Sequence, residues 1–332
     1  MNQELLIRLF RSIEGDKNDD VIKIAEKIII DEEIKGHVKL AAKLKDILRR
    51  NTHAYNSFKG NLKSLLPNGI IIPTDNRFKV PLADFVERDY LRHEMILPQN
   101  IEDRIHRIEK EYVARERLAH YGLRPKQKIL LYGSPGCGKS MTAERIAWNI
   151  GLPFLKVRFE AIISSYLGES ASNLKKLFDV FENYPCVILL DEFDFIAKSR
   201  GHGHDVGEMH RLVNMLLGLL EDLKSPGLLI ATTNFDGIID NALFRRFDDI
   251  IEMPKPGIIE IEGLLKKTIS AFNVSSTINF KTVAKQMEGF SAALVVKVAQ
   301  DAAKSTVIEG KVVLDQKQLS DALLENTLFI KG

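Results

Sequence analysis

The 332-residue sequence lacks the features that define several classes of protein. It has no apolar run close to the roughly 18 residues that a membrane span requires, and its first residues do not show the charged and then apolar layout of a signal peptide. Only two cysteines occur, which is typical of a reducing compartment. Basic residues number 47 and acidic residues 45, so the chain has no basic excess for nucleic acid. We therefore expect a cytoplasmic protein whose partners include neither a membrane nor a nucleic acid.

One segment carries a pattern that is specific for phosphate binding. Residues 133–140 read Gly-Ser-Pro-Gly-Cys-Gly-Lys-Ser, which matches Gly-x4-Gly-Lys-Ser/Thr at every fixed position. The apolar run 128–132 precedes this loop and a helical pattern over 141–150 follows it, so the context is strand, loop and helix. In such a loop the backbone N–H groups wrap a phosphate, Lys139 reaches the β- and γ-phosphates, and the Ser140 hydroxyl ligates Mg²⁺. The pattern therefore predicts that the chain binds a nucleoside triphosphate.

Two further apolar runs end in polar residues that suit catalysis. Residues 187–190 read Val-Ile-Leu-Leu and lead into Asp191 and Glu192. Because ligands bind at the carboxyl ends of strands in open α/β sheets, we expect Asp191 in the Mg²⁺ shell and Glu192 as the acceptor of a proton from the attacking water. A similar run, 227–233, precedes Asn234, which would hold that water beside the γ-phosphate. For Asn234, a turn residue that merely ends a strand is the alternative.

Two adjacent arginines, Arg245 and Arg246, lie between apolar residues further along the chain. Two arginines cannot both be buried without anionic partners. If they faced the γ-phosphate of a neighbouring subunit, one or both would act as an arginine finger.

The pattern of elements divides the chain into four parts. Apolar residues at helical spacing predict a small helical bundle over 1–50, and the loss of that spacing predicts a linker over 51–80. Alternating strands and helices over 81–253 predict an α/β domain with a parallel sheet covered on both faces. Within it, a long charged helix over 98–122 is expected to lead into the first core strand. Over 254–332 the pattern is helical only, which predicts a C-terminal helical domain.

Together these segments resemble the AAA clade of the AAA+ ATPases, the group that contains the membrane AAA proteases, katanin and spastin. The resemblance covers residues 82–325, and the motifs occur in the order and spacing of that family. The matching segments are 133–140, 187–194, 231–234, 242–248 and 289–294.

The resemblance implies a P-loop NTPase core with a C-terminal helical lid that helps close on the adenine of ATP. It implies Asn234 as sensor 1, and Arg245 and Arg246 as fingers that act on a neighbouring subunit. It also implies that the Walker residues are Lys139, Ser140, Asp191 and Glu192. The residues expected to bind ATP and Mg²⁺ are Gly133, Ser134, Pro135, Gly136, Cys137, Gly138, Lys139, Ser140, Met141 and Asp191, with Ser140 and Asp191 at the metal.

The sequence departs from the family pattern at three points. Cys137 stands where the P-loop usually has Thr, and we expect this to be tolerated because backbone groups hold the phosphate. Leu294 stands where the lid pattern Gly-Phe-Ser-Gly-Ala-Asp has Asp, so we expect the lid contacts to differ. No sensor-2 arginine is evident in the lid, as is usual for this clade.

Residues 165–170, Ser-Tyr-Leu-Gly-Glu-Ser, resemble pore loop 1 of the same clade. In a ring of subunits, expected to be a hexamer, Tyr166 and Leu167 would project into the channel and grip an extended polypeptide. The alternative is that Tyr166 is an ordinary core residue. The resemblance thus implies an ATP-driven unfoldase with protein substrates, in which the N-terminal bundle docks a substrate or partner.

No protease signature is present in the sequence, which has neither a His-Glu-x-x-His segment nor a serine nucleophile elbow. If proteolysis is the outcome, we expect the peptidase to be a separate chain. Stand-alone ATPases of this make-up resemble those that are paired with a separate subtilisin-like serine protease.

The sequence is also compatible with two functions other than that of an unfoldase. A nucleic-acid-associated ATPase of the helicase-loader or transposition-helper type has only the basic cluster within 39–50 in its support. A nucleotide-gated scaffold that hardly hydrolyses ATP is disfavoured by the complete catalytic set. The loop 201–205 contains two histidines that could ligate a metal, but a second pore loop accounts for it better.

Overall fold

The computed structural model describes residues 70–163, 167–193, 206–234 and 244–328, together with Ile29, Ala41 and Leu44. The side chains of 167, 168, 206–210 and 328 are not described. The chain divides into two compact units, Met1–Ile71 and Ile72–Gly332. In the first unit, Ile29, Ala41 and Leu44 are helical and buried. The rest of the predicted bundle, and the predicted linker as far as residue 69, lie outside the described residues.

A six-stranded sheet forms the centre of the second unit. Its strands are β1 (Ala83–Val86), β2 (Lys128–Tyr132), β3 (Phe154–Val157), β4 (Val187–Leu190), β5 (Leu228–Thr233) and β6 (Asp249–Glu252). They are arranged in the order β1-β3-β4-β5-β2-β6. The neighbours from β3 to β6 are all parallel, which confirms the predicted α/β fold. Every residue of β4 and β5 is buried, as expected for strands covered on both faces.

The edge strand β1 is antiparallel to β3 and was not among the strands that the sequence predicted. This four-residue strand follows a turn in which the Asp75 carboxylate accepts the backbone N–H groups of Arg77, Phe78 and Val80. A bridge between Thr74 and Pro81 closes the turn. A strand this short shows too little alternation of polar and apolar residues to be found from its pattern.

Helices cover the sheet. Within the described residues they are α1 (Gln99–Val113), α2 (Arg115–His120), α3 (Lys139–Ile150), α4 (Phe159–Ile162), α5 (Leu167–Asn183) and α6 (Val206–Asp222), with a 3₁₀ turn at Arg88–Tyr90. The single long helix predicted over 98–122 was wrong. The chain leaves the helical conformation at Ala114, whose backbone has φ −87° and ψ 9°, so α1 and α2 are separate.

The C-terminal helices pack on one another around an apolar cluster of their own. They are α7 (Ile258–Thr268), α8 (Phe280–Gln286), α9 (Ala292–Ile308) and α10 (Gln316–Leu328). The prediction of helices alone was wrong here, because β7 (Asn273–Val274) pairs in parallel with β8 (Val313–Leu314). Two-residue strands carry no period that a sequence pattern can reveal. Nowhere in the described parts of the chain is a helix both long and apolar enough to cross a membrane.

The segment 91–97, called here the bridging segment, touches both apolar clusters. Leu91 and Leu97 pack in the cluster formed by the sheet, α1 and α3. Ile96 packs against the C-terminal cluster, and an added Cβ on Gly263 of α7 would lie 3.0 Å from its Cδ1 atom. The bridging segment therefore joins the α/β core to the C-terminal helices.

Candidate active site

The phosphate-binding loop runs from the end of β2 to the start of α3 and packs too closely for side chains at its glycines. Gly133, Gly136 and Gly138 have φ of 132°, 76° and 87°, values that residues with a Cβ rarely adopt. A Cβ on Gly133 would lie 2.5 Å from the carbonyl oxygen of Met253, and one on Gly136 would lie 2.9 Å from Oγ of Ser291. These glycines are therefore required by the backbone path and by its neighbours.

Helix α3 opens at the loop with no side chain to cap it, because its N-cap residue is Gly138. The first N–H groups of a helix have no partners within the helix and attract anions. Lys139 is buried, and its ammonium donates to the carbonyl oxygens of Gly133 and Ser134 at 2.7 and 2.9 Å. The cation is thus held against the loop, where a bound phosphate would be placed.

Asp191 follows β4 and accepts hydrogen bonds from three donors at the C-terminal edge of the sheet. Its Oδ1 accepts from the hydroxyls of Ser140 at 2.7 Å and Thr232 at 2.6 Å, and its Oδ2 accepts from the ammonium of Lys156 at 2.7 Å. Burial raises the pKa of this carboxyl, but the hydrogen bonds from Lys156, Thr232 and Ser140 outweigh burial and leave its pKa below the ordinary value. A charged carboxylate beside a hydroxyl is a donor set that suits Mg²⁺.

Glu192 adopts the left-handed conformation, with φ of 53°, and its side chain is exposed. Its N–H donates to the Thr232 hydroxyl at 3.1 Å, and the next N–H, that of Phe193, donates to the Thr232 carbonyl at 2.7 Å. The turn after β4 is therefore anchored on β5. A non-glycine residue held at positive φ marks a position where the surrounding structure imposes the conformation, as is common in active sites.

These groups line one cleft of about 770 Å³, which is in the range of small-molecule and cofactor sites. Asp191, Glu192 and Asn234 lie in its wall together with residues 135–141 of the loop. The structure therefore brings together the loop and the three polar residues that follow β4 and β5.

The cleft also has an apolar lining. It comprises Met95, Ile96 and Leu97 of the bridging segment, which were not predicted, together with Leu264 of α7 and Val296 of α9, which belong to the expected lid. An apolar wall beside a phosphate-binding loop suits a nucleotide, whose base is flat and largely apolar while its phosphates are charged. Residues 95–97 form too short an apolar run to be distinguished by pattern from a core segment.

Helix α9 touches the phosphate-binding loop directly. Its N-cap residue, Ser291, accepts the N–H of Leu294 at 3.4 Å. The N–H of Ala293 donates to the carbonyl oxygen of Gly136 at 2.9 Å. A shift of the loop at Gly136 would therefore displace the start of α9.

Comparison with known proteins agrees with this geometry. The family model "ATPase family associated with various cellular activities (AAA)" matches residues 129–255. A protein of Sinorhizobium fredii (strain NBRC 101917 / NGR234), named "Uncharacterized AAA family ATPase y4kL", is 32% identical over 323 residues, which cover 96% of this chain and 94% of that protein. The chain belongs to the AAA family of ATPases. It is a nucleotide-binding enzyme that hydrolyses ATP.

In this AAA ATPase the two arginines lie outside the cleft. Arg245 is exposed, and Arg246 is half-buried and donates to Oε2 of Glu221 at 3.0 Å. The described residues that line the cleft include neither arginine. Neither arginine is fully buried, so the anionic partners that two buried arginines would need are not required, and Arg246 pairs with Glu221 of the same chain.

Two predicted features fall largely outside the described residues. Tyr166 and the loop 201–205 are not described. Leu167, predicted in a loop, instead begins α5, so its backbone is helical, while its side chain is not described. Among the residues whose positions are described, no group of three His, Cys, Asp or Glu side chains could hold a metal ion.

Two residues of the site were missed by sequence reasoning, Thr232 and Lys156. Thr232 belongs to the segment 231–234 that carries the family resemblance, but its pattern gave no reason to single it out. Lys156 is the one charged residue in β3, whose sequence is Phe-Leu-Lys-Val. A lysine within so short an apolar run was the signal that could have indicated a functional residue.

Proposed function

We propose that this AAA ATPase is a protein remodeller or unfoldase that works as a ring of subunits, expected to be a hexamer. The observation that carries the proposal is the division of the catalytic groups between two surfaces. Asp191, Glu192 and Asn234 line the cleft, whereas Arg245 and Arg246 do not. Among the described residues, the arginine that does line the cleft, Arg92, is paired with Glu144, so an arginine finger would come from a neighbouring subunit.

ATP binding would use the loop and its flanking residues. The glycine backbone and the start of α3 would wrap the phosphates, and Lys139 would contact the β- and γ-phosphates. Ser140 and Asp191 would hold Mg²⁺, which supplies charge neutralisation at the phosphates when it is bound. The donors present support this assignment, because the Ser140 hydroxyl and the Asp191 carboxylate lie 2.7 Å apart at the mouth of the loop.

Hydrolysis would begin with a water that Asn234 holds and Glu192 polarises. The Glu192 carboxylate accepts a proton from that water as it attacks the γ-phosphate. Arg245 and Arg246 of the next subunit then stabilise the charge of the transition state, a contribution of about 10³–10⁵ in rate, or about 4–7 kcal/mol.

Movement would pass from the nucleotide to the C-terminal helices, which act as the lid. The contact between Gly136 and Ala293 links the loop to α9. Lys267 of α7 pairs with Glu94 of the bridging segment at 3.1 Å, which supplies a second link. Lid movement would then displace the segment that enters α5, where Tyr166 and Leu167, the first residue of that helix, would grip an extended polypeptide.

The N-terminal bundle, residues 1–50, would dock substrates or partners, with 51–80 as its linker, 81–253 as the ATPase core and 254–332 as the lid. A separate serine protease is one partner to which the ring would deliver unfolded protein. The alternative function remains a nucleic-acid-associated ATPase, which would show DNA binding that weakens steeply with salt.

Substitution of Tyr166 by Ala tests the unfoldase directly. We expect ATP hydrolysis to remain close to the wild-type rate while ATP-dependent unfolding of a tagged fluorescent protein is lost. Tyr184→Ala, a change at the end of α5 away from the pore loop, is the matched control and should retain unfolding. Loss of hydrolysis and unfolding together in Tyr166→Ala would instead assign that tyrosine to the core.

A further inference from the structure

A lysine contacts the carboxylate that the proposed function assigns to the metal. Lys156 lies on β3 in register with Leu189 of β4, so its strand is next to the one that leads into Asp191. Its ammonium is 2.7 Å from Oδ2 of Asp191, in an ion pair whose lysine side chain is 47% exposed and whose aspartate side chain is 16% exposed. The lysine is thus free to move into solvent, while the carboxylate is fixed.

The two oxygens of Asp191 have different partners. Oδ1 accepts from two hydroxyls, those of Ser140 and Thr232. Oδ2 accepts from Lys156. A divalent cation drawn to this carboxylate, directly or through a bound water, needs the negative charge that the ammonium partly neutralises.

A second cation near the site is neutralised by its own partner. Arg92 of the bridging segment lines the same cleft, but its guanidinium is paired with Glu144 of α3, and its backbone N–H donates to the same carboxylate at 2.9 Å. Of these two cations, Lys156 is the one that donates a hydrogen bond to the Asp191 carboxylate.

We propose that Lys156 competes with Mg²⁺ for Asp191 and so sets the Mg²⁺ concentration at which the cleft binds a nucleotide tightly. This inference rests on the proposed place of Asp191 in the metal shell. Two like unit charges about 4 Å apart in water-like surroundings repel each other by an amount equivalent to about fivefold in a binding constant, and the double charge of Mg²⁺ increases this effect. Removal of the ammonium should therefore lower the Mg²⁺ requirement.

The test is a Mg²⁺ titration of the binding of a fluorescent ADP analogue, read by fluorescence rather than by turnover. Lys156→Met and Lys156→Gln should both lower the half-saturating Mg²⁺ concentration on the order of fivefold. Lys156→Arg keeps the charge and should match the wild type. Lys176→Met removes a half-buried lysine of α5 that donates to Asn76, so it controls for net charge and should also match the wild type.

An unchanged or a higher Mg²⁺ requirement in both Lys156→Met and Lys156→Gln would overturn the inference. The Mg²⁺ dependence of wild-type binding distinguishes a failure of this inference from a failure of the proposed function. If wild-type binding of the analogue does not depend on Mg²⁺, the metal role of Asp191 is wrong and the inference falls with it. If wild-type binding does depend on Mg²⁺ and the variants do not differ from it, the inference alone is wrong.

Discussion

The hydroxyl of Thr232 donates to Oδ1 of Asp191 at 2.6 Å and accepts the backbone N–H of Glu192 at 3.1 Å. One side chain on β5 therefore orients both carboxylate residues that follow β4. A threonine is suited to this position because its hydroxyl can donate one hydrogen bond and accept another.

Thr232→Val keeps the shape of the side chain and removes both hydrogen bonds. We expect the free energy of unfolding to fall by about 1–3 kcal/mol, because the partly buried Asp191 carboxylate and Glu192 N–H each lose a hydrogen-bond partner. ATP hydrolysis should fall on the order of tenfold as Asp191 and Glu192 lose their alignment. Denaturant unfolding and a phosphate-release assay measure the two effects.

Thr306→Val is the control for that substitution. Thr306 is buried in α9 and its hydroxyl donates to the carbonyl of Ala302 at 2.9 Å, away from the cleft. It should lower stability by about 1 kcal/mol and leave hydrolysis intact. Equal losses of hydrolysis in the two variants would show that the effect of Thr232 is only on stability.

Gly136→Ala tests the contact between the loop and the lid. The added Cβ would lie 2.9 Å from Oγ of Ser291 and 3.1 Å from Cβ of Ala293, so we expect α9 to be pushed away and nucleotide affinity to fall. Gly289→Ala has a similar positive φ, 86°, but open space around its Cβ. It should cost only the backbone strain, about 1–2 kcal/mol. Calorimetric titration with ATP would contradict the account if both variants bound equally well.

Much of the core could be predicted because its signals are local. The residues of the loop 133–140 are sufficient to predict phosphate binding. The apolar runs that form β4 and β5 lead directly into Asp191, Glu192 and Asn234. The partners of those residues could not be predicted, because they meet only when strands pair. Lys156 reaches Asp191 from the adjacent strand, and nothing in the local sequence of either residue indicates the other.

The same reason explains the missed apolar residues of the bridging segment and the missed strands. Met95 and Val296 are far apart in the sequence and line the same cleft only in the folded chain. The short strands β1, β7 and β8 are stabilised by their neighbours and not by their own propensity.

Asp249, at the start of β6, provides a test of stability against pH that does not involve the proposed metal site. Burial raises the pKa of its carboxyl, but Lys126, at 2.6 Å, and Arg104 donate to it and lower its pKa below the ordinary value. A lowered folded-state pKa adds stability above the unfolded value of about 3.9, and that stability is lost as the pH falls through the folded-state value.

Asp249→Asn should therefore destabilise the protein at pH 7 by about 1–3 kcal/mol and by less at pH 3. The measurement is urea unfolding at the two pH values. Asp222→Asn, at the exposed end of α6, is the control and should change stability little at either pH. A destabilisation by Asp249→Asn that did not depend on pH would show that its charge is not what stabilises β6.

Lys139→Ala should abolish ATP binding, because it removes the cation held against the loop. Calorimetric titration measures this, and unchanged affinity would reject the assignment of the loop as the phosphate site. Lys266→Ala is a suitable control, since Lys266 is exposed on α7 and pairs with Glu262 of the same helix.

The central claim is that each ATP is hydrolysed between two subunits. Its most direct test mixes Glu192→Gln subunits with subunits that carry both Arg245→Ala and Arg246→Ala, and measures ATP hydrolysis of the mixture. The account predicts activity above that of either parent, because some interfaces then combine an intact Glu192 with intact arginines of the neighbour. A mixture no more active than its parents, although the subunits co-assemble, would contradict the account.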